Sequence, residues 1–152
     1  MSQTFQVASE EEMLQLGVAL VPPLQRGGQV DLSGDLGMGK TILVRGILRA
    51  LGYAGRVKSP SYGLVESYLL PDLTVHHLDL YRLSHGEELA FLGLEELLDG
   101  QALVLIEWPE HARGFLPDPD WTIHIDQPGP GLRDVVVSAS SEKARASFQE
   151  IS

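Results

Sequence analysis

The 152-residue sequence predicts an α/β fold of three layers, a mixed parallel and antiparallel sheet flanked by helices. Three features predict it. Short β-rich runs alternate with helical patterns, as in folds that cover both faces of a sheet with helices. One glycine-rich turn, GDLGMGKT at 34–41, joins a strand to a helix. Two pairs of strands are linked by short turns, and such hairpins make the sheet only partly parallel.

Residues 4–8 read as a strand. Ser9 then opens a helix, with Glu12 at the capping-box spacing and Met13, Leu16 and Leu20 on one face. Pro22-Pro23 is expected to stop or kink it. After a Gly27-Gly28 turn, residues 29–32 form a strand that enters the glycine-rich loop. Residues 42–51 read as a helix ended by Gly52. Residues 55–63 form a loop, 64–70 and 74–80 a hairpin about Pro71-Asp72, and 85–99 a helical pattern broken by Gly93. The apolar run from Ala102 to Ile106, closed by Glu107, is the mark of a buried strand. Residues 122–125 and 134–137 are the last strands. Residues 1–138 are expected to form one domain, and 139–152 a polar, frayed tail.

Composition narrows the function. There are 11 Lys+Arg against 21 Asp+Glu, a net charge of -10, which opposes unaided binding to nucleic acid or anionic lipid. Without cysteine there is no disulfide, thiolate nucleophile or Cys zinc site. The apolar runs are far shorter than the ~20 residues of a membrane span. The acidic start lacks a signal-peptide pattern, so a cytoplasmic location is expected.

The segment 34–41 matches G-x-x-x-x-G-K-[ST], with Gly34, Gly39, Lys40 and Thr41 at the fixed positions. Its backbone N–H groups (Gly34, Asp35, Leu36, Gly37, Met38, Gly39) can curl around an anion at a helix N-terminus, with Ile42 following. Lys40 reaches β- and γ-phosphates and the Thr41 hydroxyl ligates Mg²⁺ in such loops. From Arg26 to Lys58 there are six cations and two acids, a local balance that suits a triphosphate.

A Mg-nucleotide site also needs a carboxylate at a strand end. Asp79 and Glu107 both qualify, and the sequence leaves open which of them touches the ion. His76 and His77 lack the further ligands a zinc site needs; one should face the core and the other solvent. Trp108 is either packing or part of a nucleotide surface. Asparagine is absent, so an Asn-Lys-x-Asp guanine signature is impossible and adenine is the expected base. A small-molecule kinase is the rival reading, but its phosphate-clamping lid needs arginines, and residues 83–112 hold seven acids and no Lys or Arg. That acidic stretch is either a solvated face or a docking surface for a basic protein.

Four stretches in this order, GDLGMGKT (34–41), KSPSYGLVESY (58–68), HHLDLYRL (76–83) and LIEWPEH (105–111), resemble the bacterial TsaE (YjeE) family over residues 10–137. The resemblance implies a P-loop ATPase of tRNA threonylcarbamoyladenosine biosynthesis, with ATP/ADP and Mg²⁺ as cofactors. It implies an accessory subunit that supports turnover of the TsaD–TsaB pair, which modifies adenosine 37 of ANN-decoding tRNAs. The tRNA is then met only through that complex. Carried over by position, Gly34 to Thr41 hold phosphates and Mg²⁺, and Ser59-Pro60-Ser61 is a switch-like loop with Ser61 near the γ-phosphate. Asp79 is the Walker B-like acid. Glu107 contacts Mg²⁺ or the hydrolytic water, with Trp108 beside it. Three positions depart from the family pattern: Ser61 stands for Thr, Gly63 for Thr and Met38 for Ala. A hydrolysing role and a non-hydrolysing, nucleotide-dependent adaptor role are both compatible with these residues.

Overall fold

The computed structural model describes residues 1–35, 37–57, 60 and 64–151. Its strands are β1 (Ser2–Val7), β2 (Gly28–Ser33), β3 (Val65–Leu69), β4 (Thr74–Asp79), β5 (Leu103–Glu107), β6 (Trp121–Asp126) and β7 (Arg133–Ala139). They form one sheet in the order β1-β7-β6-β2-β5-β4-β3. β6, β2, β5 and β4 run parallel, and β7, β1 and β3 add antiparallel edges. The helices are α1 (Glu10–Leu24), α2 (Lys40–Ala50), α3 (Glu88–Phe91), α4 (Leu94–Leu97) and α5 (Glu142–Ser147).

β5 shows why the centre is parallel. All five of its residues are buried, because both of its faces are covered. Leu103 and Leu105 join the core that contains α1 and α2. Val104 and Ile106 join a second core with Leu89 of α3 and Leu94 of α4. β4 divides in the same way, with Val75 in the first core and Leu78 in the second.

α1 begins as its capping residues predict. The Ser9 hydroxyl accepts from the Glu12 N–H at 3.1 Å, and Glu12 reaches back to the Ala8 N–H at 2.9 Å. The prolines do not stop it where they stand. The helix runs through Pro22 and Pro23 and ends at Leu24, one residue beyond them, and the Gln25 N–H still reaches the Val21 carbonyl.

α1 and α2 pack backbone against backbone at two glycines. A Cβ on Gly17 would lie 2.6 Å from the Leu43 carbonyl oxygen, and one on Gly46 would lie 2.3 Å from that of Leu14. Helix propensity alone says that Gly46→Ala stabilises, by about 1 kcal/mol. The contact reverses the sign, since overpacking against fixed backbone costs about 1–3 kcal/mol beyond that gain. Gly46→Ala should therefore lower the midpoint of urea unfolding. An unchanged or higher midpoint would mean that the two helices separate freely.

Asp31 is a buried acid on the face of β2 opposite α2. Gln29 Nε2 donates to it at 3.0 Å and also to the Pro117 carbonyl. Burial pushes its pKa up to about 6, with the Gln29 hydrogen bond opposing and the Glu110 charge adding to the rise. The folded state therefore binds this proton more tightly than the unfolded chain. The resulting penalty is full above pH 6 and fades as the pH falls from there toward 4. Asp31→Asn keeps an acceptor for Gln29. It should stabilise the protein by about 1–2 kcal/mol at pH 8, less than full linkage because some water contact remains, and give almost no gain at pH 4. Thermal unfolding at the two pH values checks this; an equal gain at both would exclude the carboxyl's ionisation as the cause.

The C-terminal segment is not frayed. Ser141 caps α5 by accepting from the Ala144 N–H, and Ala144 and Ser147 are buried. Phe148 stacks on Trp121 with 6.2 Å between ring centroids, and Glu150 pairs with Arg26. A polar composition concealed the few residues that dock. The pattern at 85–99 resolves into two single turns, α3 and α4, separated by Gly93 at φ 72. No helix among the described residues is long and apolar enough to cross a membrane.

Candidate functional site

The parallel strands end together, and the loop after β2 lies at that end. Gly34, Gly37 and Gly39 have φ of 141°, 78° and 109°, a conformation that glycine adopts without steric cost. At Gly34 a side chain is also barred by space, since a Cβ would lie 2.8 Å from the Ile125 carbonyl oxygen. Lys40 is the first residue of α2.

Strand register fixes the acids. Asp79 and Glu107 are direct partners across β4 and β5, so their side chains leave the sheet on the same face. That face carries α2. A cleft of about 270 Å³ opens there, and Lys40, Thr41, Asp79, Glu107 and Trp108 all line it, with Gly37, Gly39 and Ile42 at its edge. The sequence-predicted residues thus converge on one place. Asp35 is exposed and Met38 half-buried beside the loop. Leu36 and Ser61 lie outside the described residues, as do Lys58, Ser59, Tyr62 and Gly63.

Lys40 is the one cation among the described residues lining the cleft. Its Nζ donates to the Gly34 carbonyl at 2.5 Å and sits 3.9 Å from the centre of the Trp108 ring. Burial pushes its pKa down, while Glu107, Glu110, Asp79 and Asp35 hold it up. Asp79 is pushed up by burial and by the Glu107 charge, against the Tyr81 N–H, which donates to its Oδ1 at 3.1 Å, and against His77 and Lys40.

Glu107 is buried and its Oε2 lies 2.5 Å from His77 Nε2. Of the two histidines, His77 is fully buried and His76 half-exposed, as strand alternation predicts. His77 bonds Glu107, and His76 Nδ1 bonds the Ser67 hydroxyl. Trp108 adopts the left-handed conformation, φ 59, which is rare for a side chain of this size. Its ring lies 5.0 Å from Tyr81 and 5.3 Å from His111. Tyr81 and His111, though inside the matching stretches, and the His77–Glu107 bond are site features to which the sequence assigned no role. Alternation along β4 signalled that one of His76 and His77 turns inward, without saying which.

A second hollow of about 180 Å³ lies across the loop. It shares Gly37, Gly39 and Ile42 with the cleft and adds Ser9, Met13 and Arg133. Arg133 Nε donates to the Met38 carbonyl at 3.3 Å. Of the six cations expected to favour a triphosphate, Arg26 is instead engaged by Glu150.

Comparison with known proteins decides the family. A family model described as threonylcarbamoyl adenosine biosynthesis protein TsaE matches residues 7–134. The chain belongs to the TsaE family. The tRNA threonylcarbamoyladenosine biosynthesis protein TsaE of Haemophilus influenzae is 41% identical over 130 residues, covering 82% of each chain. That of Bacillus subtilis is 32% identical over 126 residues, covering 83% of this chain and 78% of the relative. A crystal structure of YdiB from Bacillus subtilis superposes with a TM-score of 0.85 at 25% identity, covering 99% of this chain and 94% of that one. The mixed-sheet α/β fold is therefore that of the TsaE family, and the chain's role lies in tRNA threonylcarbamoyladenosine biosynthesis. The TsaE match ends at the start of β7, so the docked α5 lies beyond it.

Proposed function

We propose that this chain binds ATP with Mg²⁺ at loop 34–41 and hydrolyses it as an accessory subunit of the tRNA-modifying machinery. It would work in the cytoplasm and support turnover of a TsaD–TsaB pair. One observation carries the reading: Lys40, Thr41, Asp79 and Glu107 line a single cleft at the mouth of a glycine loop.

The donor set fits Mg²⁺. A hydroxyl and two carboxylates are hard oxygen ligands. With two carboxylates and one ammonium lining the cleft, a bare polyphosphate would meet net negative charge. Thr41 would hold the ion together with Asp79 or Glu107, and the ion would neutralise phosphate charge. The loop N–H groups and Lys40 bind the phosphates, and Glu107 orients the attacking water. The second hollow, with Met13 on its wall and Arg133 at its rim, suits the base and ribose, since Ile42 and the loop glycines border both spaces.

The test is ATP hydrolysis by the purified chain, alone and with the TsaD–TsaB pair. Slow hydrolysis that the pair accelerates is the expected result. Tight ATP binding without hydrolysis in either setting would leave an adaptor and refute the enzyme.

A further inference from the structure

The largest of the hollows described lies outside the nucleotide cleft. It is a groove of about 530 Å³ formed by α3, α4 and Phe115. Leu89, Leu94 and Phe115 give it an apolar floor, and Glu87, Glu95 and Glu96 border it. No Lys or Arg is among its lining residues, and none occurs from 83 to 112. Phe91, next to the lining residue Ala90, leaves 91% of its surface in water. Phe91 and the Leu89, Leu94 and Phe115 floor thus set apolar surface beside the glutamates.

Charge selects the occupant. Three carboxylates repel phosphate backbones and anionic membranes alike. A second copy of this chain carries a net charge of -10, which opposes its approach at long range. We infer that the groove receives a basic segment of a partner protein, with an apolar side chain on the floor and Lys or Arg facing the glutamates. The partner we assign is the TsaD–TsaB pair, so the inference rests on the function proposed above. Placement gives the contact a purpose. The groove segment leaves β4 just after Asp79 and returns through β5 to Glu107, so its two ends are the two acids of the nucleotide cleft.

The experiment is titration of the purified chain with the TsaD–TsaB pair in Mg-ATP at low and high salt. Two groove variants are used, Glu95→Lys/Glu96→Lys and Phe91→Ser, with Glu142→Lys on α5 as a control. All of these positions are exposed, so the variants should fold, and retained ATP affinity verifies that the cleft is intact. Each groove variant should weaken the complex at least tenfold and the control should not. The charge variant should also lose most of the salt dependence, because interfacial charge pairs are screened. If the pair binds the groove variants like the parent chain, or the control loses as much, the groove assignment is overturned and the partner stands. If the parent chain does not bind the pair, the partner and the groove assignment both fall.

Discussion

Lys40→Ala should lower the affinity for Mg-ATP by about a hundredfold, the upper end of what one lost charge-assisted hydrogen bond costs. Two effects add. The phosphates lose a charge-assisted donor, worth about 1.5–3 kcal/mol. Among the described lining residues the cleft also loses its one cation, which leaves the metal alone to balance Asp79 and Glu107 against the phosphates. The same ammonium is bonded to the Gly34 carbonyl and rests on the Trp108 ring. Lys40→Arg should not restore binding, because a planar fork cannot replace a compact ammonium in that buried position. Calorimetric titration with Mg-ATP measures both variants, with urea unfolding as the check on folding. Affinity within threefold of the parent chain would remove Lys40 from the phosphate site.

The residues that sequence could place are those whose chemistry is bound to local spacing. Gly34, Gly39, Lys40 and Thr41 sit within eight residues, and a strand-loop-helix context is enough to aim them. Asp79 and Glu107 were legible as ends of apolar runs, but their being side by side follows from β4 and β5 pairing in register, which depends on contacts between distant segments. His77 illustrates the difference. Alternation shows that one of His76 and His77 faces inward, yet only the pairing of two strands brings His77 Nε2 to the Glu107 carboxylate. Gly17 is a further case: its own helix gives no reason for a glycine, which comes from the Leu43 backbone on another helix. The C-terminal residues misled for a similar cause. Their polarity suggested fraying, whereas Ala144, Ser147 and Phe148 supply just enough docking surface to hold α5. Polar composition reports the average of a segment, and a short helix docks on two or three side chains.

Glu107→Gln should abolish most hydrolysis while sparing both fold and binding. His77 places Nε2 beside Oε2, and the amide oxygen of glutamine can accept the same N–H, so the buried bond persists. What is lost is the negative charge facing the cleft. A carboxylate that orients or accepts a proton from the attacking water contributes about 10²–10⁴ in rate, and an amide cannot take the proton. Turnover with the TsaD–TsaB pair should thus fall by at least about a hundredfold, with Mg-ATP affinity held within a few-fold. Glu107→Ala is the informative contrast. Among the described residues His77 Nδ1 already lacks a partner, and truncation would orphan Nε2 as well. An unsatisfied buried donor costs about 1–3 kcal/mol, so the alanine variant should lose stability as well as activity. Single-turnover hydrolysis and urea unfolding on the two variants separate these effects. If the glutamine variant turned over at the parent rate, the hydrolytic role would pass to Asp79, whose carboxyl leaves the sheet on the same face.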